Sequence, residues 1–303
     1  MTESSISEYV KANFSEIMVN GEIEALEEFE LELMNQQKKV GFWCVMGSRA
    51  FGVHRPDSDV DIRGFYCYSP EYWQGSLHQS APETVRLTIG KIDVELQELS
   101  TFIRLLGRQN QNNLMVVAKL WSECGQNTYS KTGEFVLMSE RVIGRTNGNT
   151  KSIHGQMRSD VFDLLRQDRS EKNIEKTIKN LIKLTFLRKA YKDGYWFSIF
   201  LPHFRDEYSR ALSHLPSLTE KIMKIRQTTL ITNSKDEEQI AAASEALINF
   251  WPDNLLDAHV NIMSDVAAGT RNAYSESGSG KLESNKVAEM KMNTEIRKMV
   301  WCK

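Results

Sequence analysis

The feature that most narrows the fold is the stretch Met46–Gly64, MGSRAFGVHRPDSDVDIRG. It follows an apolar run, Val40–Met46, that reads as a buried strand. Gly47-Ser48 breaks that strand. Ser48–Val53 reads as one short helix, and Pro56 stops any continuation. Asp59–Tyr68 then alternates in part and reads as a second strand. Residues two apart on a strand project from one face, with Cα atoms about 6.5–7 Å apart. Asp59 and Asp61 are therefore expected to converge. Carboxylates that close repel each other, and burial would raise at least one pKa. A divalent cation removes that penalty. Mg²⁺ takes oxygen ligands, keeps several waters, and is commonly held by one or two carboxylates plus a substrate phosphate. Gly47-Ser48 adds close backbone N–H groups and a hydroxyl that suit phosphate oxygens.

Around this segment the patterning changes once. Glu22–Gln36 has Ile23, Leu26, Phe29 and Leu33 at helical spacing. Glu83–Ile89 and Lys91–Gln97 are β-rich and read as one or two further strands, a hairpin about Gly90 being one arrangement. From Leu99 onward the spacing is helical almost throughout, with predicted helices near 130–142, 150–166, 174–192, 206–215, 218–228, 236–250 and 253–268. The fold class is α+β: a small mixed-sheet domain followed by a mostly helical domain. The domain boundaries are set at 1–20 for a loosely held lead-in, 21–145 for the mixed domain and 146–270 for the helical domain. Residues 271–303 make a linker, SESGSG, and a C-terminal helix over 288–301.

Composition excludes several classes. Of 303 residues, 41% are hydrophobic and 26% charged, with 17 Gly, 6 Pro and 4 Cys. Collagen, disulfide scaffolds and disordered chains do not look like this. The longest apolar runs are too short to span a bilayer, and MTESSISEYV lacks the regions of a signal peptide. No membrane association and a cytoplasmic location are the default expectations. Cys44, Cys67, Cys124 and Cys302 form no CxxC pair and are read as reduced thiols without a metal role. The net charge of −2 excludes a bulk polyanion binder. Charge is nevertheless uneven: residues 1–35 hold nine Glu and one Lys, and residues 141–194 hold thirteen Lys/Arg against six Asp/Glu. Lys172, Lys176, Lys179 and Lys183 recur at three- and four-residue steps and share a helix face. A solvated surface is the usual meaning of such a face, and a phosphate-rich partner is the other.

The order Gly47-Ser48-Arg49-Ala50-Phe51-Gly52, Pro56-Asp57-Ser58-Asp59-Val60-Asp61-Ile62-Arg63-Gly64 resembles the DNA polymerase β-type nucleotidyltransferase superfamily. It is most similar to the RNA-repair, or RNA-ligase-associated, branch. That branch also resembles a later stretch: Asp93 on a strand, Glu98-Leu99 and Phe102 opening a helix, and Asn110-Gln111-Asn112, where Gln111 replaces a proline. The resemblance covers about residues 40–113. It implies transfer of a nucleoside monophosphate from an NTP to a hydroxyl, with release of pyrophosphate. It further implies two Mg²⁺ ions, or Mn²⁺ in their place, on three carboxylates. Asp59 and Asp61 match the first two. Asp93 is the preferred third, and Glu95, two residues along the same strand, competes with it. Gly47, Ser48, Arg49, Ser58 and Arg63 are the candidate nucleotide-binding residues. RNA, in tRNA end repair or modification, is the favoured acceptor, with Lys176, Lys179 and Lys183 as candidate contacts. A protein hydroxyl, as in antitoxin-like nucleotidyltransferases, and a nucleotide-binding regulator without turnover are the alternatives.

Overall fold

The computed structural model describes residues 5–19, 21–70, 72, 84–108, 110–123, 129–143, 160, 164, 170–192, 202–228 and 279–301. The chain divides into two compact units, one made of residues 1–145 with 280–303, the other of residues 146–279.

The first unit is built on a four-stranded mixed sheet. Its strands are β1 (Lys38–Val45), β2 (Val60–Tyr68), β3 (Thr84–Ile89) and β4 (Ile92–Glu98), in the order β1-β2-β4-β3. β1 and β3 are antiparallel to their neighbours, while β2 and β4 run parallel. The predicted hairpin about Gly90 is present, and its two-residue turn sets Ile89 opposite Ile92 and Thr88 opposite Asp93. β2 is parallel to β4 in register, so Asp61 lies beside Asp93 and Arg63 beside Glu95.

Alternation along β2 divides the side chains between two faces. Val60, Ile62 and Tyr66 join Trp43, Val94 and Leu96 in a core closed by helices α1 (Ile6–Phe14) and α2 (Glu22–Asn35). The opposite face carries Asp61, Arg63 and Phe65. Phe65 packs against Phe102 of α4 (Leu99–Gly107) and Phe135 of α6 (Lys131–Ile143), at centroid distances of 5.3 and 5.4 Å. Between them in sequence lies α5 (Gln111–Glu123), whose Leu114, Val117 and Leu120 are fully buried. One sheet face is thus aromatic under its helices and becomes polar at the first residues of β2 and β4.

Gly64 is needed where β1 and β2 approach. A β-carbon there would stand 2.7 Å from the Trp43 Cβ and run into the Phe42 carbonyl oxygen. Cys44 and Cys67 are buried free thiols, and burial pushes both well above the ordinary thiol range.

Within the lead-in expected over residues 1–20, the described residues include a docked helix, α1. Ser5 and Glu8 form a capping box that starts α1, and Ile6 and Val10 are completely buried. Glu30 of α2 also accepts from the Ile6 and Ser7 N–H groups, at 2.7 and 3.1 Å. A capping box with apolar residues four apart is enough to dock a nine-residue helix that composition alone reads as polar.

The C-terminal helix, α10 (Ser279–Trp301), begins within the SESGSG run, so Ser279 and Gly280 are helical rather than linker. It belongs to the first unit. Arg297 makes a 2.6 Å ion pair with Glu98, which is fully buried and also caps α4 by accepting from the Ser100 N–H at 2.7 Å.

The second unit contains α7 (Glu171–Lys192), α8 (Pro202–Ser213) and α9 (Leu215–Thr228). Ile174, Ile178, Leu181 and Ile182 of α7 are buried, as are Tyr208 and Ile222. The predicted helices near 236–250 and 253–268 lie outside the described residues, as does almost all of 150–166. Among the described residues, no helix is long and apolar enough to cross a membrane.

Candidate active site

β1 delivers the chain to Gly47, where α3 (Gly47–Ala50) begins. Gly47 has φ of +64°, a conformation that costs any side-chain-bearing residue ~1–2 kcal/mol. The backbone at this turn is fastened to β2, because the Met46 N–H donates to the Asp61 carbonyl at 2.7 Å. The Gly-Ser turn and Asp61 are therefore one rigid unit, as the motif spacing requires.

Asp61 and Asp93 are each the second residue of their strand and stand side by side across the parallel ladder. Arg63, two residues beyond Asp61 on the same face, bridges them. Its Nη2 lies 2.7 Å from Asp93 Oδ2 and 3.4 Å from Asp61 Oδ1. The second oxygen of Asp93 accepts from Thr88 Oγ1 at 3.1 Å. Burial pushes the Asp93 carboxyl up. The Arg63 hydrogen bond and charge, the Thr88 hydrogen bond and the Arg86 charge together outweigh that and hold it below the usual carboxylate range. Glu95 is turned to Arg86, whose Nε lies 3.0 Å from Oε2.

Asp59 lies just ahead of the β2 ladder. The β2 ladder begins at Val60, whose N–H donates to the Lys91 carbonyl at 2.7 Å. Asp59 is one residue ahead of it and exposed. The reason lies in Arg49, which draws the preceding backbone toward itself: Nη2 donates to the Ser58 carbonyl at 2.7 Å and Nε to the Asp59 carbonyl at 3.1 Å. The Arg49 guanidinium also sits 5.0 Å over the Phe14 ring. Ser58 Oγ accepts from the Arg55 N–H at 2.9 Å and closes the loop turn. Arg49 and Ser58 thus shape the loop that carries Asp59.

Carboxylate oxygens beside a Gly-Ser turn are the donor chemistry that suits a hard divalent cation. Asp61 and Asp93 fit that requirement, since a cationic group already lies between them. Among the described residues, however, no three His, Cys, Asp or Glu side chains are gathered closely enough to hold a metal as they stand.

Thr88 and Arg86 were not singled out from the sequence as site residues. The hairpin about Gly90 contained the signal, because a two-residue turn fixes which β3 residue faces Asp93. The Lys176, Lys179 and Lys183 face lies on α7, with Lys176 exposed and the other two partly buried.

A mixed sheet with paired strand-edge aspartates, reached through a Gly-Ser turn, has the architecture of a polymerase β-type nucleotidyltransferase domain. The match to a known family agrees: residues 18–140 match RlaP, the RNA repair pathway DNA polymerase beta family. That stretch is similar to this family, and the family implies nucleotidyltransferase activity in general. The residues after it fall outside the match. No curated protein matches the chain.

Proposed function

We propose that the protein transfers a nucleoside monophosphate from an NTP to a hydroxyl of an RNA acceptor, in a divalent-metal-dependent reaction that releases pyrophosphate. The observation that carries this reading is the side-by-side placement of Asp61 and Asp93 next to the turn at Gly47-Ser48. Two Mg²⁺ ions held by Asp59, Asp61 and Asp93 would supply charge stabilisation for in-line displacement at the α-phosphate. The Gly47 and Ser48 N–H groups and the Ser48 hydroxyl bind phosphate oxygens of the NTP. Arg63 contributes a guanidinium on the same face. Arg49 and Ser58 act by fixing the loop that presents Asp59. Asp93 is the third carboxylate, because it is the one in register with Asp61; Glu95 is paired to Arg86.

RNA is favoured because the matching family is described by an RNA repair pathway and because residues 141–194 are strongly basic. The test is incubation of the full chain with each α-labelled NTP, Mg²⁺ and either total RNA or whole-cell lysate. Label in RNA supports the reading. Label in protein alone moves the acceptor to a protein hydroxyl, and no label in any fraction overturns transferase activity. Asp59→Asn and Asp61→Asn should each stay folded and lower turnover by about 10²–10³, the cost of removing one preorganised charge-stabilising group. Asp93→Ala should abolish transfer while Glu95→Ala is milder. The reverse ranking would assign the third position to Glu95.

A further inference from the structure

Asp61 and Asp93 are both about one-third exposed and stand side by side on adjacent strands, so their like charges repel and a counter-charge between them is favourable. Arg63 supplies it. The guanidinium is reached from the same strand face as Asp61, and its short bond to Asp93 crosses from β2 to β4. Among the described residues, Nη1 makes two long contacts, 3.3 Å to the Ile62 carbonyl and 3.4 Å to the Asp93 carbonyl. The Arg63 side chain is 26% exposed, so the guanidinium can leave without crossing the core. It lies between the two carboxylates, so a divalent cation held by both would compete with it.

We infer that Arg63 is an internal placeholder: its guanidinium holds the Asp61–Asp93 pair together before a divalent cation arrives and swings to the substrate phosphates when the cation takes the carboxylates. This rests on the metal-dependent reading above. The two carboxylates are offset by one positive charge before the exchange and by two after it. The carboxylates trade one cation for another, and the released guanidinium meets the anionic triphosphate entering beside it. Metal and nucleotide binding are thereby coupled through one side chain, since a bound triphosphate draws Arg63 away from the carboxylates. Arg63 acts here as a positioning residue for the cation site.

The experiment is a Mn²⁺ titration of the full chain without nucleotide, read by the electron paramagnetic resonance of free Mn²⁺. Wild type, Arg63→Gln, Arg63→Ala and Arg63→Lys are compared, with folding checked by circular dichroism. A neighbouring charge at this range shifts a carboxylate's affinity for a proton by one to three powers of ten. Arg63→Gln and Arg63→Ala should therefore bind Mn²⁺ about tenfold tighter than wild type or more. Arg63→Lys, which keeps the charge, should remain near wild type and guards against a fold defect in the other two. Saturating NTP should tighten Mn²⁺ binding in wild type more than in Arg63→Gln. Adding Asp61→Asn to Arg63→Gln should remove the gained affinity. Mn²⁺ affinity in both neutral variants no tighter than wild type overturns the placeholder, including the case where none of the proteins binds Mn²⁺. A gain that survives Asp61→Asn overturns it too, because the ion is then elsewhere. Failure of the transferase reading is seen separately, as absence of label transfer by wild type.

Discussion

The Asp61 carboxylate lies directly against the Cα of Gly47: a β-carbon at Gly47 would collide with Asp61 Oδ2 and stand 2.9 Å from its Cγ. The turn and the carboxylate therefore cannot be varied separately. Gly47→Ala combines a left-handed backbone conformation, costing ~1–2 kcal/mol, with displacement of Asp61. The expected outcome is a lower melting temperature together with near-complete loss of label transfer. Asp61→Ala in the same background gives the carboxylate no volume to collide with. It should recover part of the lost melting temperature and none of the activity. Differential scanning fluorimetry and the transfer assay read both effects.

Acid titration tests the electrostatics of Asp93. Arg63, Thr88 and Arg86 hold this carboxyl below its ordinary range against the upward push of burial. A group whose folded-state pKa is depressed adds stability above its unfolded pKa, near ~3.9 for Asp, and loses it as pH falls through the folded value. The stability difference between wild type and Asp93→Asn should accordingly be constant near neutrality and shrink below about pH 4. Arg63→Gln should move the Asp93 titration upward. Carboxyl NMR of the metal-free protein follows the titration, and urea melts across acidic pH follow the stability.

The sheet and most of the candidate site were legible from residue order, for definite reasons. Gly47-Ser48 and Pro56 mark where β1 ends and where the short helix stops. Gly90 fixes a two-residue hairpin, and its register alone places Thr88 on Asp93. What alternation could not supply was the start of the β2 ladder. Asp59 and Asp61 obey strand spacing in sequence, yet Arg49 engages the carbonyls of Ser58 and Asp59, and the ladder begins one residue later. That contact joins residues nine and ten apart and has no periodicity to reveal it. The α1 helix is legible as well, since Ser5 and Glu8 carry a capping box and Ile6 and Val10 an apolar stripe. The pairing of Glu98 with Arg297 spans 199 residues, and no local pattern could indicate it.

Glu98 and Arg297 give a stability prediction for the C-terminal helix. The Glu98 side chain is wholly buried and serves both the α4 N-terminus and Arg297, at 2.7 and 2.6 Å. Removing one member of a buried pair leaves the other charge uncompensated, at a cost of about 3–5 kcal/mol. Arg297→Ala should therefore destabilise the first unit by about that amount. Arg297→Lys should recover only part, because a single ammonium cannot reproduce the planar fork that also reaches toward the Tyr68 carbonyl. Chemical denaturation followed by tryptophan fluorescence, to which Trp43, buried on β1, contributes, reports the loss. An unchanged midpoint would mean that α10 is dispensable to this unit.

Lys176, Lys179 and Lys183 decide between acceptor binding and a solvated face. If RNA lies along this face of α7, each phosphate contact releases a counterion, and affinity falls with salt along a log–log line. Replacing all three by Gln should flatten that slope by up to ~2–3 units for a single-stranded acceptor and raise the acceptor KM. The buried side of α7 is formed by Ile174, Ile178, Leu181 and Ile182, and circular dichroism checks that the substituted helix stays folded. Fluorescence anisotropy with labelled RNA at several salt concentrations measures the slope, and NTP affinity is followed in parallel. A flattened slope with unchanged NTP affinity assigns the face to the acceptor. Weakened NTP binding would instead assign it to the triphosphate. An unaltered slope with unaltered NTP affinity returns the three lysines to solvent and moves the acceptor from RNA toward a protein or a small molecule.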